Sequence, residues 1–335
     1  MHAWQLSQLG SIENLKLVRD LPDPTPAVDE VVLELEYAAL NPADRYLAEG
    51  QYPARPPLPH ILGRDGVGTV VAVGEGVRDV RVGDVKAILR GETGVGRAGT
   101  FATRVALNAD SLIAVPAGWS HEQAACASLV YLTAHQAITQ WDDLPRENCV
   151  TLITGASGGV GVAATQLAKA MGHTVIGVSR SEEKSRRLYD LGADFALRPD
   201  RLRRGTSAPL LRTKDTSEAL MPRANLAIDN VGGDSFNDLL SAMDYAGRIS
   251  VVGRLAGPVP SFNTASLFFR RLRIGGVAVG TYSREEAHAA WREVVALLAR
   301  ADQRPLIDQI FDFDQLPQAF ERLHAGPMGK VLLRM

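Results

Sequence analysis

Cysteine is scarce. Cys126 and Cys149 are the only two in 335 residues, with no C-x-x-C pair and no cluster of Cys with His. That scarcity argues against a disulfide framework and against a thiolate zinc site. Long apolar runs are also missing: no stretch approaches the roughly 18 apolar residues of a membrane span. The opening Met1-His2-Ala3-Trp4-Gln5 is not a basic region leading into such a run. Neither sign of charge dominates, since 36 Lys and Arg face 38 Asp and Glu, for a net charge of −2. Nothing global therefore points to nucleic acid or to an anionic membrane surface. Hydrophobic residues make up 46% and charged residues 22% of the chain, an ordinary globular balance. The expectation is a soluble, cytoplasmic protein, and its length calls for two domains.

What is present is organised around residues 150–161. Val150-Thr151-Leu152-Ile153-Thr154 is rich in β-branched residues, as a buried parallel strand is. It breaks into Gly155-Ala156-Ser157-Gly158-Gly159-Val160-Gly161 and re-emerges as helix formers over 162–171. Strand, glycine turn and helix is the context in which such a turn binds a dinucleotide. Gly158 lets backbone approach a pyrophosphate at the helix N-terminus, and Gly161 lets helix and strand pack closely. Ala156 stands where the fingerprint has its first glycine, so the match is A-x-G-x-x-G. Ala156, Ser157, Gly158, Gly159, Val160 and Gly161 are the candidate cofactor turn. A literal G-x-G-x-x-G at 94–99 leads into the alternating Phe101-Ala102-Thr103-Arg104-Val105, a strand pattern, and reads as a flexible loop.

A second strand over 174–178 ends in Ser179-Arg180-Ser181, with Lys184 one turn on. NAD-selective sites place a carboxylate at that tip for the ribose 2′-hydroxyl. Here a hydroxyl, a guanidinium and an ammonium stand there instead, suited to a 2′-phosphate unless Arg180 and Lys184 are merely solvated charges. NADP(H) is the expected cofactor. Glu182 and Glu183 suit the helix start, where the dipole favours acids.

The first 120 residues read as strands and turns without strand–helix alternation. Asn41-Pro42-Ala43-Asp44 opens a short helix with Asn41 at its cap. From residue 116 strands alternate with helices, the pattern of a doubly wound parallel sheet, with further strands at 225–229, 249–253 and 272–279. Residues 283–300 form an amphipathic helix and 329–333 a last strand. The segment 198–223 carries Arg198, Arg201, Arg203, Arg204, Arg212, Lys214 and Arg223 with little pattern, and reads as a solvated loop rather than a polyanion site.

Together these motifs resemble the zinc-independent quinone oxidoreductase branch of the medium-chain dehydrogenase/reductase superfamily, over nearly the whole length. The resemblance rests on Asn41-Pro42-Ala43-Asp44 with Tyr46 and Tyr52, Gly63-x-Asp65-x-x-Gly68-x-Val70, Leu132-Thr133-Ala134, the glycine turn, Asp229-Asn230-Val231-Gly232-Gly233 and Gly329-Lys330-Val331. It implies an α/β architecture: a GroES-like β-rich catalytic domain (1–124 and 283–335) and a Rossmann domain with a doubly wound parallel sheet (125–282). It implies that Asn41, Asp44, Tyr46, Tyr52 and Arg64 belong to the catalytic region. Thr133, Ser179, Arg198, Asn230, Gly253 and Lys330 join the cofactor set. Tyr52 is the preferred proton donor, with solvent as the alternative. Asp44 and Arg64 are either catalytic or a structural pair. The superfamily's zinc alcohol dehydrogenases carry Cys at the first motif and Gly-His-Glu at the second. Here those places hold Asn41 and Gly63-Arg64-Asp65, and a four-cysteine lobe near 85–105 is lacking, so no metal is expected. Ala48 replaces an Arg usual in this branch, and Arg198-Pro199 stands where relatives carry a Tyr. The implied activity is NADPH-dependent reduction of a quinone or α,β-unsaturated carbonyl. The alternatives are an enoyl-thioester (acryloyl-CoA-type) reductase and a non-enzymatic NADPH- or RNA-binding protein. A homodimer is implied, with 272–279 as the pairing edge.

Overall fold

The computed structural model describes residues 1–89, 92–144, 147–203, 209–212, 217–257 and 261–335. The chain divides into two units, Met1–Leu129 with Tyr282–Ala289 and Pro305–Met335, and Val130–Thr281 with Ala290–Arg304. The helix Arg284–Arg300 is thus shared between them, where the sequence assigned all of 283–335 to the first. Polar contacts account for the second unit's claim on 290–304. Gln166 Nε2 donates to Gln303 Oε1 at 2.9 Å and to the Arg304 carbonyl at 3.0 Å. The seam lies at 129/130 rather than 124/125 because Ser128 and the Leu129 N–H both donate to Asp65 of the first unit.

The first unit is β-rich. The long strand Glu30–Ala39 pairs antiparallel with Asp65–Val73, and also with Arg104–Asn108 and the C-terminal Lys330–Arg334. Val85–Ile88, Leu112–Ala114 and Ile307–Asp312 complete a seven-stranded sheet. A second sheet joins Ala3–Leu6 to Leu15–Val18 and His60–Ile61. Alternation in Leu33-Glu34-Leu35-Glu36 buries the leucines and exposes the glutamates, as a one-sided strand requires. The amphipathic helix Leu316–His324 lays Leu316, Ala319 and Phe320 into the core, where the Phe320 ring meets Phe101 edge-on at 5.9 Å.

The glycine run at 94–99 is a loop with no helix after it, as expected, and it turns tightly against Gly63. The Gly94 N–H donates to the Arg97 carbonyl at 2.9 Å. A Cβ at Gly94 or Gly99 would sit 2.0 or 2.3 Å from the Gly63 carbonyl oxygen, so these glycines serve backbone packing.

The second unit carries an eight-stranded sheet. Val150–Thr154 is central, between Thr174–Val178 and Ala224–Asp229. Phe195–Leu197 extends one side, and Met243–Val251 and Arg273–Gly276 the other, all parallel. Leu152 and Ile153 are fully buried, and Thr151 and Thr154 are buried with them, as a strand covered on both faces requires. Within 198–223, expected to be a loop, Pro209–Arg212 and Ser217–Leu220 form an antiparallel hairpin on the Phe195–Leu197 edge. Arg204 and Lys214 of that segment lie outside the described residues. No helix among the described residues is long and apolar enough to cross a membrane.

Phe320→Ala should cost about 3–5 kcal/mol, because a buried aromatic and its edge-on contact with Phe101 are both lost. A urea titration following tryptophan fluorescence checks this; an unchanged midpoint would show that the C-terminal helix is not part of the first unit's core.

Candidate active site

In the first unit the site is built on Asp65, which is 1% exposed. It accepts from Asn41 Nδ2 at 2.9 Å and Lys330 Nζ at 3.2 Å on Oδ2, and from Ser128 Oγ at 3.1 Å on Oδ1. Lys330 Nζ also donates to Asn41 Oδ1 at 2.6 Å and to the Leu40 carbonyl at 3.0 Å. Its three protons therefore have three acceptors, and the buried charge has a counter-charge. Asn41 was expected to cap the helix Pro42–Ala48. It sits at the cap position, but its side chain makes no cap hydrogen bond and serves Asp65 and Lys330. Asp44 reaches back instead, accepting from the Asn41 N–H at 2.8 Å.

Beside this network a chain of groups runs outward from the core. Asp44 is fully buried, and Arg64 Nε lies 3.4 Å from its Oδ1. The contact is a charge contact without hydrogen-bond geometry, for neither atom has a hydrogen-bond partner. Burial pushes the Asp44 carboxyl up to about 6, with the Arg64 charge pulling the other way. Arg64 Nη1 donates to Tyr52 Oη at 3.1 Å, and the guanidinium carbon lies 4.5 Å from the ring centroid. Arg64 and Tyr52 are half-buried, as is Tyr46, whose carbonyl accepts from the Gln51 N–H. Asn41, Asp44, Arg64 and Tyr52 are thus brought together.

Lys330, expected among the cofactor residues, lies in this network with its ammonium bound to Leu40, Asn41 and Asp65. The two residues that sequence reasoning left off the site are Asp65 and Ser128. The signal for Asp65 was a single lysine opening the apolar run Val331-Leu332-Leu333, a cation that a core strand cannot hold unpaired. Cys126 is no nucleophile, since burial raises its thiol to about 12.

In the second unit the turn after Val150–Thr154 has Gly155 at φ +60°, a conformation that favours glycine. A Cβ at Gly161 would lie 2.2 Å from the Gly155 carbonyl oxygen, while Gly158 has only that oxygen, at 3.5 Å, within reach. Gly158 is the N-cap of the helix Gly159–Ala170 and brings no side chain to its first-turn N–H groups. Ala156, at the place of the first fingerprint glycine, is buried with its methyl toward Gly177, where an added Cβ would stand 3.3 Å from it. Ser179 Oγ and Ser157 Oγ are 3.4 Å apart. Asn230 Nδ2 donates to the Thr154 carbonyl at 2.8 Å, and a Cβ at Gly253 would meet the Asn230 carbonyl at 2.6 Å. Strand ends thus gather Gly155, Asn230 and Gly253. Arg180 is exposed and makes no ion pair among the described residues. Lys184 is half-buried, its N–H bound to Ser181 Oγ. Arg198 is paired with Asp200 at 3.2 Å, and Thr133 is half-buried on the helix Ser128–Thr139.

Residues 27–117 match the alcohol dehydrogenase GroES-like domain, and 159–300 the zinc-binding dehydrogenase family. Over 94% of its length the chain is 30% identical to the acryloyl-coenzyme A reductase of Metallosphaera sedula, covering 95% of that protein. It is 28% identical to the quinone oxidoreductase of Lama guanicoe, over 99% of this chain and 97% of that one. The crystal structure of Escherichia coli quinone oxidoreductase complexed with NADPH superposes with a TM-score of 0.83 at 26% identity, each chain covered fully. The chain belongs to the medium-chain dehydrogenase/reductase superfamily. It falls in the quinone oxidoreductase branch, and as a member of the superfamily it is an oxidoreductase.

Two features of this dehydrogenase/reductase chain fit a dinucleotide. The capless helix start at Gly158 offers backbone donors to a pyrophosphate. Asn230 Oδ1 is a buried acceptor with no partner, beside the same turn.

Asp65→Asn leaves the Lys330 ammonium buried without a counter-charge and should cost about 3–5 kcal/mol. Adding Lys330→Met should recover much of that loss in the same chemical denaturation series; a double variant no better than the single would refute the pairing. Asp44 gives a pH test. Its folded carboxyl titrates near 6 and an unfolded one near 3.8, so between those values the folded state holds the extra proton. Its contribution to stability is therefore present at low pH and is lost as pH rises through 6. The stability of the natural protein minus that of Asp44→Asn should fall between pH 4 and 7; a difference that rises would reverse the assignment.

Proposed function

We propose that the protein transfers hydride from NADPH to a quinone or an α,β-unsaturated carbonyl without zinc. The observation that carries this reading is the saturation of Asp65 and Asn41 by Lys330. In the positions where zinc-dependent relatives hold metal ligands, by the resemblance stated above, this chain has an ammonium already bound. Among the described residues no group of His, Cys, Asp and Glu is arranged to hold a metal ion. A substrate that needs a Lewis acid to polarise an isolated carbonyl is poorly served by such a site. A conjugated acceptor is better served, because the negative charge generated by hydride addition spreads onto an oxygen that hydrogen-bond donors can meet.

The nicotinamide, when bound, supplies the hydride. The chain's own residues supply binding and the proton. Arg180 is assigned to a 2′-phosphate, for which a fork of charged donors is the matched partner. Arg64 donates to Tyr52 Oη, so the phenol's own O–H is left to donate. Tyr52 thus meets the developing enolate or quinol oxygen and gives it a proton. Asp44 holds Arg64 in place from the buried side.

A second reading, reduction of an enoyl thioester, is favoured by the 30% identity to an acryloyl-coenzyme A reductase. One assay separates the two: oxidation of NADPH, with NADH in parallel, against a simple quinone, a short-chain enone and crotonyl-CoA. Fastest turnover of quinone or enone with NADPH is the expected result, and preference for crotonyl-CoA would move the assignment to thioester reduction. Arg180→Glu should raise the KM for NADPH at least tenfold with little change for NADH. Tyr52→Phe should lower kcat for the enone on the order of a hundredfold; an unchanged kcat would pass the proton role to solvent.

A further inference from the structure

Arg223 and Arg270 line an open cavity of about 450 Å³ in the second unit, with Ser241, Met243, Asp244 and Tyr245. Arg223 Nη1 donates to the carbonyls of Ser241 at 3.0 Å and Met243 at 3.1 Å. Arg270 Nη1 donates to the same Met243 carbonyl at 3.2 Å. Two guanidiniums therefore converge on one neutral oxygen. Among the described residues neither makes an ion pair. One carboxylate stands in the lining, Asp244, whose Oδ1 accepts from the Tyr245 N–H at 2.8 Å and which makes no ion pair with either guanidinium among the described residues. Burial and the neighbouring Arg223 charge both hold Arg270 below the ordinary arginine range, as expected of like charges without a counter-ion.

Arg223 alone caps the end of the helix Ser235–Ala242, and Arg270 brings a second cation to a Met243 carbonyl that is already met. Each guanidinium has five N–H donors, and the backbone contacts engage only Nη1 of each. Among the described residues the remaining donors have no partner. Beside them Tyr245, 60% exposed, offers an aromatic face.

We infer that Arg223 and Arg270 form an anion site that takes a phosphate monoester, with Tyr245 as a platform for a planar group attached to it. Two forks against one tetrahedral dianion is the geometry that arginine pairs serve best. The site is not the cofactor's. It lies where the strands Ala224–Asp229 and Met243–Val251 begin, paired Ala224 to Met243, whereas the glycine turn follows the end of Val150–Thr154. These are opposite ends of one sheet, about 17 Å apart by the strand rise of about 3.3 Å per residue.

The test is calorimetric titration of inorganic phosphate and of adenosine 5′-monophosphate into protein saturated with NADP+, at constant ionic strength set with chloride. Saturable binding of both ligands to the natural protein is expected. Arg223→Gln and Arg270→Gln should each weaken it about tenfold or more, and Arg270→Lys should weaken it less. Tighter binding of the nucleotide, lost in Tyr245→Ala, identifies a phosphorylated aromatic as the ligand; equal affinities identify free phosphate. Circular dichroism establishes that each variant is folded. Absence of saturable binding to the natural protein overturns the proposal. So does binding that survives Arg270→Gln but is lost in Arg180→Gln, which would locate the anion at the cofactor turn.

Discussion

One buried carboxylate organises the first unit. Asp65 collects donors from the helix cap at Asn41, from Ser128 and Leu129 at the start of a long helix, and from Lys330 on the C-terminal strand. An ionised carboxylate out of water is stable only when every lone pair is met and the charge is balanced. That requirement ties together stretches of chain separated by up to 265 residues. It also constrains the chemistry, because oxygens already committed to an ammonium and an amide are not available as ligands. The proposed hydride transfer to a conjugated acceptor follows from that commitment, not from the fold, which also serves zinc enzymes.

Next to this closed network stands an open-ended one. Asp44 is fully buried, Arg64 half-buried and Tyr52 half-buried, so a single row of groups passes from the core to the surface. At the inner end Asp44 is fixed by the Asn41 N–H, and it holds Arg64 by charge and packing without a hydrogen bond. The outer end keeps an unspent O–H. A phenol on an exposed loop would sample many orientations; one stacked on and bonded to a guanidinium that is itself held by Asp44 does not.

The local elements were legible in the sequence and the long-range pairings were not. Val150–Thr154, the turn and Gly159–Ala170 announce themselves because β-branched runs, glycines and helix formers each act over a few residues. The alternating leucines and glutamates of Glu30–Ala39 did the same. Cap chemistry was half legible: Asn41 does sit at the cap, but a buried ammonium outcompetes the helix for its side chain. The hairpin Pro209–Arg212 with Ser217–Leu220 was missed because its pairing onto a sheet edge is a tertiary event in a charged, unpatterned stretch. The loop at 94–99 was legible, but the reason for its glycines was not: Gly94 and Gly99 make room for Gly63, some thirty residues earlier, and spacing alone does not say what a glycine is making room for.

The same logic bears on the proposed cofactor preference. What separates a 2′-hydroxyl from a 2′-phosphate is the charge the strand tip presents, and two acids, Glu182 and Glu183, stand close to Arg180. Glu182 is engaged by Arg186 at 2.8 Å, four residues along the helix, so much of its charge is spent within that pair. Glu183 is exposed, where water screens it. Arg180 is exposed as well and makes no ion pair among the described residues, so its guanidinium is free to meet a ligand oxygen directly. In the proposed reading a dianionic phosphate gains from the Arg180 charge at short range, while a neutral hydroxyl gains only a hydrogen bond.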